Sequence, residues 1–324
     1  MQGGPRNRFT AESGYHLLVG NDGHSGFVNC LKPAGMTSND VVEEARRIFA
    51  TNLGHAGTLD PAATGVLVLG VGAARRFINL LRDDKEYESV MRLGVESDTL
   101  DMEGRVTAER PVTVTADEVR AAATGLTGEV SLPVPAFSAV HVGGRRLYEM
   151  ARSGVAVVPP IRVSRVDALD VLEAALPLVR FRLACSAGTY VRSIAAEWGR
   201  RLGCGAVVVS LTRTRSGDFP IRDSLALEAF RDMVAAGRIT DALIPCSRAL
   251  AHLPEAGLDD EGAARARMGQ EVPAPAGSSF PPGAAVRLVR RGGGLIGMAE
   301  AVGGDGPERR LKPKRMLAGT EELA

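Results

Sequence analysis

The chain has 324 residues, 45% hydrophobic and 24% charged, with a formal net charge of +1. That is enough for about two domains with packed cores, and no run of about 18 apolar residues is present to cross a membrane. The four cysteines, Cys30, Cys185, Cys204 and Cys246, form no CxxC pair, which argues against a zinc ribbon or a disulfide framework and for a reducing, cytoplasmic setting. Residues 1–23 are polar and Gly-rich, without the apolar core of a signal peptide, and are expected to form a flexible extension. Charge is unevenly spread. Leu81 to Glu129 carries six Lys/Arg against twelve Asp/Glu, a net of −6. His141 to Arg215 carries twelve Arg against five acids, a net of +7, and Val286 to Arg315 eight Lys/Arg against three, a net of +5. A near-neutral chain can therefore present basic surfaces to a polyanion, although solvated charged faces would give the same counts.

In chain order, the first predicted element is a helix capped by Ser38. Asp40 sits near its positive end, and Val41, Val42, Ala45, Ile48 and Phe49 form one apolar face. Pro61 excludes a regular element just after Asp60, so Asp60 belongs to a loop. Val66 to Val71 reads as a buried strand and Ala73 to Leu81 as a helix. Tyr87 to Val95 alternates as a strand. Val179, Phe181, Leu183 and Cys185 mark another, with Arg180 and Arg182 on its far face. Tyr190 to Leu202 is helical, with Val191, Ile194, Ala195, Trp198 and Leu202 on one stripe and Gly203 ending it. Val207, Val209 and Leu211 mark a strand running on to Arg213 and Arg215. Strands and helices mix without a βαβ repeat, which predicts an α+β catalytic domain on a mixed sheet. Ala251 to Asp260 reads as a linker. Ala285 to Val289 and Leu295 to Ala301, joined by Gly292-Gly-Gly294, predict a small C-terminal β-domain.

The chemistry is sought first in Gly54-His-Ala-Gly-Thr-Leu-Asp-Pro-Ala-Ala-Thr-Gly65. Glycines permit close backbone approach to a ligand, and a proline after the acid stiffens the loop that would hold Asp60 for chemistry. On pattern alone an Asp-Pro pair also fits a plain turn. The stretch, however, resembles the signature of the TruB family of tRNA pseudouridine-55 synthases. The resemblance continues in order through Lys32-Pro-Ala-Gly-Met-Thr-Ser-Asn-Asp40, Lys85-Glu-Tyr87, Ser97-Asp-Thr-Leu-Asp101 with Gly104, Pro135-Ala-Phe-Ser-Ala139, Gly144-Arg-Arg-Leu-Tyr-Glu-Met-Ala-Arg152, Gly188-Thr-Tyr-Val-Arg-Ser193, Leu202-Gly-Cys-Gly205 and Leu211-Thr-Arg-Thr-Arg-Ser-Gly217. It covers roughly Val28 to Phe219.

The resemblance implies an enzyme that isomerises uridine 55 in the tRNA T-loop, with no cofactor and no metal. Asp60 takes the place of the essential aspartate, which starts cleavage of the glycosidic bond by attacking the nucleoside or by removing a sugar proton. Arg192 is the implied countercharge. Tyr87 is placed against the flipped uracil, Tyr190 and Leu211 line the same pocket, His55 enters the space left by the flipped nucleotide, and Lys32 supports the loop. Arg145, Arg146 and Arg152, in an insertion at about 133–160, would grip RNA; phosphate contacts of that kind position a substrate and offset the cost of extracting a base. The C-terminal part, with Gly297-Met-Ala-Glu300 and the basic run Arg309 to Arg315, resembles a PUA domain, a small RNA-binding β-barrel. The implied layout is an extension at 1–23, a catalytic domain at 24–250 and a PUA-like domain at 258–324, in a monomer whose partner is tRNA. Three positions depart from the family pattern: Leu31 stands where aspartate is usual, Phe137 where tyrosine is, and His141 where lysine is.

Three other readings compete. Gly70-Val-Gly72 follows a strand as a dinucleotide fingerprint would, but Arg75 stands where the third glycine belongs. A non-catalytic tRNA-folding protein would use the same basic surfaces, but has no need of a pocket carboxylate. A guide-dependent synthase acting on ribosomal RNA would share the catalytic motifs; the compact chain, without long basic tails, favours a stand-alone tRNA enzyme.

Overall fold

The computed structural model describes residues 25–153, 155, 157–303 and 309–317, so the extension expected at 1–23 lies outside the described residues. The chain opens with β1 (Gly26–Lys32), α1 (Ser38–Phe49), β2 (Leu53–His55), β3 (Thr64–Val71) and β4 (Lys85–Leu93). A ribbon of β5 (Val95–Ser97) and β6 (Val106–Glu109) leads to α2 (Ala116–Thr124) and β7 (Gly128–Pro133). A second ribbon, β8 (His141–Val142) and β9 (Arg145–Arg146), precedes α3 (Leu147–Arg152). Then come β10 (Ile161–Ala175), β11 (Leu178–Cys185), α4 (Val191–Arg201), β12 (Ala206–Ser216), β13 (Phe219–Pro220), α5 (Leu227–Ala235) and α6 (Cys246–Ala249). The last part holds β14 (Glu255–Leu258), α7 (Asp260–Arg267), β15 (Val272–Pro273), β16 (Ala285–Arg290), β17 (Leu295–Val302) and β18 (Arg310–Met316).

Nine strands form the main sheet in the order β1-β3-β12-β4-β11-β10-β7, with β2 added to β3 and β13 to β12. The β3–β12 pairing is parallel and the others are antiparallel. Strand β3 explains where the site forms. One of its edges is covered by β1 along its length. The other edge is shared: β2 takes Leu69 to Val71, and β12 takes Thr64 and Gly65. Residues 56–63, which join β2 to β3, leave the sheet between these two neighbours.

The apolar pattern places the layers. Val28, Cys30, Leu67 and Leu69 pack with α1 and α5, where the Phe49 and Phe230 rings meet at a tilt with centroids 5.5 Å apart. The alternate residues Phe27, Val66 and Val68 face Phe77 and the second sheet's Leu295 and Met298. Strand β3 is thus buried on both faces, as its unbroken apolar run requires. Helix α4 lies on β4, β11 and β12. Its Trp198 meets the Phe181 ring edge-on at 5.5 Å and donates a hydrogen bond to the Val119 carbonyl at 3.1 Å. Burying each such aromatic contributes about 1.5–3 kcal/mol. The second sheet runs β14-β16-β17-β18-β15 and curls around its own core of Leu258, Phe280, Val286, Leu288 and Leu311. This is an α+β fold with a C-terminal β half-barrel, consistent with a PUA-like domain.

Five element expectations need correction. Thr37, not Ser38, caps α1: its hydroxyl accepts from the Asp40 amide at 3.0 Å while Asp40 accepts from the Thr37 amide at 2.8 Å, and that reciprocity leaves Ser38 free for the loop described below. Gly72–Leu80 is a 3₁₀ helix. Ala74, Phe77 and Leu80, spaced by three, point the same way at three residues per turn. The Tyr87–Val95 strand breaks at Gly94, which has φ +85°, and Val95 joins the separate β5–β6 ribbon. A register shift between Val208 and Ser210 turns Val209 outward, to 44% exposure. The supposed linker Ala251–Asp260 carries β14, parallel to β16; with only Ala256 and Leu258 buried, its alternation is too short to read.

Candidate active site

The loop 56–63 is tied down from three directions. Arg213, 1% exposed on β12, donates from Nε to the Val66 carbonyl at 2.7 Å and from Nη2 to the Gly57 carbonyl at 3.0 Å. Ser38, in the first turn of α1, accepts from the Leu59 amide at 2.9 Å. Lys32, fully buried at the end of β1, donates to the carbonyls of Pro33 at 2.9 Å, Pro61 at 3.0 Å and Ala63 at 2.6 Å. Burial holds the Lys32 pKa down at about 8, against the pull of Asp60. Gly65 lets this happen at close quarters. Its φ is +105°, and a Cβ there would lie 2.2 Å from the Arg213 carbonyl oxygen, so only glycine lets β3 and β12 meet at this point.

Asp60 is thereby fixed at the floor of a cleft of about 480 Å³, within the usual range for a small-molecule site (about 300–1,000 Å³). Its Oδ1 accepts from Arg192 Nη2 at 2.9 Å. Arg192, on the first turn of α4 and 5% exposed, also donates to the Thr99 carbonyl at 2.9 Å and the Phe137 carbonyl at 3.2 Å. It lies 3.5 Å from Asp101. One buried guanidinium therefore serves two carboxylates and two carbonyls. The Asp60 side chain keeps 41% of its surface open to the cleft. Desolvation by the surrounding protein still pushes its pKa above the ordinary 3.8, Arg192 opposes that, and Asp101 adds to it. The result is a carboxylate that is open, oriented and harder to ionise than a free one.

Tyr87, Tyr190 and Leu211 line the same cleft, with Lys85 and Arg213. Burial raises the Tyr87 phenol pKa, and the charge of the nearby Arg213 pulls the other way. Of the other sequence-expected residues, Lys32 lies beneath the loop rather than on the cleft wall. His55 ends β2, one residue before the lining residue Ala56. Its ring is half-buried, and its Nδ1 has no partner among the described residues. Burial lowers its pKa. Arg145, Arg146 and Arg152 are exposed on β9 and α3. Arg146 and Arg152 flank the Tyr148 ring, at 6.0 and 5.7 Å from its centroid. The Tyr148 amide donates to the Ser138 carbonyl at 3.1 Å, and Ser138 lines the cleft, so the insertion rests directly on the cleft's rim. Among the described residues no cluster of His, Cys, Asp and Glu could hold a metal ion, and no helix is long and apolar enough to cross a membrane.

Four residues of this architecture carried no individual assignment in the sequence reading: Ser38 as a loop anchor, Lys85, Asp101 and Arg213. A signal existed for two of them. Lys85 and Arg213 sit in otherwise apolar alternating strands, where an inward cation calls for a partner.

This fold, a mixed sheet carrying a C-terminal half-barrel, has counterparts among solved structures. The chain superposes with a TM-score of 0.70 on a protein in the "Crystal Structure of a Cbf5-Nop10-Gar1 Complex", at 25% identity over 90% of this chain and 85% of that one. A TM-score of 0.68 and 25% identity relate it to the "archaeal box H/ACA sRNP Nop10-Cbf5 complex", over 92% of this chain and 89% of that one. In sequence, residues 46–191 match the TruB family pseudouridylate synthase N-terminal domain, 192–251 the tRNA pseudouridylate synthase B C-terminal domain, and 254–317 the pseudouridine synthase II TruB C-terminal region. The tRNA pseudouridine synthase B of Aromatoleum aromaticum is 40% identical over 89% of this chain and 91% of its own. That of Gloeobacter violaceus is 41% identical over 79% and 89%. The class is pseudouridine synthase, an isomerase. The chain belongs to the TruB family, whose members of this kind act on tRNA.

Proposed function

We propose that this chain converts the T-loop uridine at position 55 of tRNA to pseudouridine, with Asp60 as the carboxylate that opens the reaction. The observation that carries this is the Asp60–Arg192 pair at 2.9 Å, on a loop locked by Lys32, Ser38 and Arg213, inside a nucleoside-sized cleft.

The target base leaves the RNA stack, at a cost of about a few kcal/mol. Arg145, Arg146 and Arg152 meet phosphates beside the cleft and supply part of that energy, and His55 occupies the vacated space. The PUA-like half-barrel holds a more distant part of the same tRNA. In the cleft the uracil lies against Tyr87, with Tyr190 and Leu211 as walls. Asp60 then attacks the nucleoside or takes a sugar proton. The C1′–N1 bond breaks, its electron pair leaves with the base, the base turns over, and C5 bonds to C1′ as Asp60 is released or the sugar proton is returned; the C5 proton is then lost and N1 takes one up. Arg192 keeps Asp60 ionised against the desolvation of the closed site. The domain limits we assign are 24–250 for catalysis and 258–324 for the half-barrel, in a monomer acting in the cytoplasm. Relatives at about 40% identity named for tRNA weigh for this reading over a guide-dependent one.

Asp60→Asn tests it. The variant is expected to bind tRNA as the parent does and to form no pseudouridine. Substantial residual turnover would overturn the assignment.

A further inference from the structure

Two lysines are buried beside the cleft, and they differ in what they hold. Lys32 directs its ammonium to three carbonyls. Lys85 is 9% exposed and lines the cleft, yet makes no hydrogen bond or ion pair among the described residues. An ammonium has three donors, and this one is not sealed off from solvent, so its donors are open to the cleft it lines. Neither nearby acid bonds it: Asp84 is engaged by Arg215 and Asp83 is exposed at the rim, so both act on Lys85 only at a distance. The nearest cation, Arg213, is itself engaged with the loop carbonyls. Both reach the same point: the place a Gly57 Cβ would occupy is 3.6 Å from Arg213 Nη1 and 3.8 Å from Lys85 Cε.

Asp60, Arg192, Tyr87, Lys85 and Arg213 all line this one cleft, where Arg192 pairs with Asp60 and Lys85 with nothing among the described residues. Lys85 and Tyr87 are two residues apart on β4, both buried on one face, with Cα atoms about 6.8 Å apart along an extended strand. A nucleoside with its ribose at Asp60 and its ring against Tyr87 would present a carbonyl edge to Lys85.

We infer that the Lys85 ammonium is a catalytic donor to the uracil ring, hydrogen-bonding the carbonyl oxygen on which negative charge collects as the C1′–N1 bond breaks. This rests on the reaction proposed above but not on which route Asp60 takes. In either route the C1′–N1 electron pair leaves with uracil, whose anion spreads the charge over N1 and the ring oxygens. A fixed cation at that edge stabilises the departed base and holds it while it turns to present C5. When C5 bonds to C1′ the charge is withdrawn, and the C5 proton is lost as N1 takes one up, so Lys85 gains and gives up no proton overall. The role requires the charged amine. Burial, with Arg213 adding to it and Asp83, Asp84 and Cys185 opposing, holds the Lys85 pKa at about 8.

The test compares the parent, Lys85→Met, Lys85→Gln and Lys85→Arg in single-turnover pseudouridine formation on tRNA transcript, with tRNA affinity measured in parallel between pH 6 and 9. Removing one donor to a developing anion costs about 100-fold or more in rate. The expected result is a loss of that size in Met and Gln with tRNA affinity within about threefold of the parent, and partial rescue in Arg. The parent's rate should decline as pH rises through the Lys85 pKa, and that decline should be absent in Met, Gln and Arg. Rates in Met and Gln within threefold of the parent would overturn the inference. So would weakened tRNA binding with a flatter salt dependence and an unchanged saturated rate, which would make Lys85 a phosphate contact. A decline with pH that persists in Met would assign it to Lys32, whose pKa is also about 8, and would likewise overturn the inference. A parent that forms no pseudouridine would instead defeat the underlying functional reading.

Discussion

Replacing Arg192 with methionine keeps much of the side chain's volume and removes its charge. The variant loses the 2.9 Å contact to Asp60 and the 3.5 Å approach to Asp101, and leaves the Thr99 and Phe137 carbonyls without their donor. Removing one partner from a fully buried ion pair costs about 3–5 kcal/mol. Asp60 keeps 41% of its side-chain surface open. Solvent screening therefore brings the expected loss down to about 2–3 kcal/mol, or roughly 30- to 150-fold in rate if it falls on the transition state. The pH dependence supplies a second signature. The Asp60 pKa already stands above 3.8, and Arg192 is the main influence lowering it. Without Arg192 the pKa rises further. In the proposed reaction the ionised form is the active one, so the acid limb of the rate profile must move to higher pH, and the deficit must be deepest at low pH. The assay is single-turnover pseudouridine formation from pH 5 to 8, with tRNA binding as the control for folding. A plateau rate within threefold of the parent, with the acid limb unmoved, would refute the reasoning.

Lys32→Met removes three hydrogen bonds beneath the Asp60 loop; it should lower turnover far more than tRNA affinity, with about 1–3 kcal/mol lost from stability in urea titration. Gly65→Ala places a Cβ 2.2 Å from the Arg213 carbonyl at a φ of +105°, and should destabilise by about 1–3 kcal/mol or more, read as a lower thermal midpoint. Replacing Arg145, Arg146 and Arg152 together by alanine should weaken tRNA binding and flatten the slope of log affinity against log salt by about 2–3; an unchanged slope would remove them from the interface.

Much of this architecture was legible in the sequence because local pattern and tertiary role agree. Trp198 and its stripe, the alternating Val179 to Cys185 and the apolar Val66 to Val71 each carry their burial in their periodicity. Elements decided by tertiary contact were not legible. Thr37 and Ser38 are both good caps, and only the Leu59 amide waiting for a hydroxyl tells which of them is spent on the loop. The bulge that turns Val209 outward is a property of the β4–β12 pairing. Strand β14 owes its existence to β16, some thirty residues on. In the site, Asp60 stood out as an acid on a Gly/Pro-bounded loop, whereas Asp101 and Arg213 act through partners 91 and more than 140 residues away in sequence, a distance no local pattern encodes.

The central claim concerns one base in one RNA. Site-resolved mapping of pseudouridine in tRNA transcript, after incubation with the parent protein and with Asp60→Asn, tests it most directly. The expected result is a single new pseudouridine, at T-loop position 55, with the parent and none with the variant. Pseudouridine at another position, or an equal yield from Asp60→Asn, would contradict it.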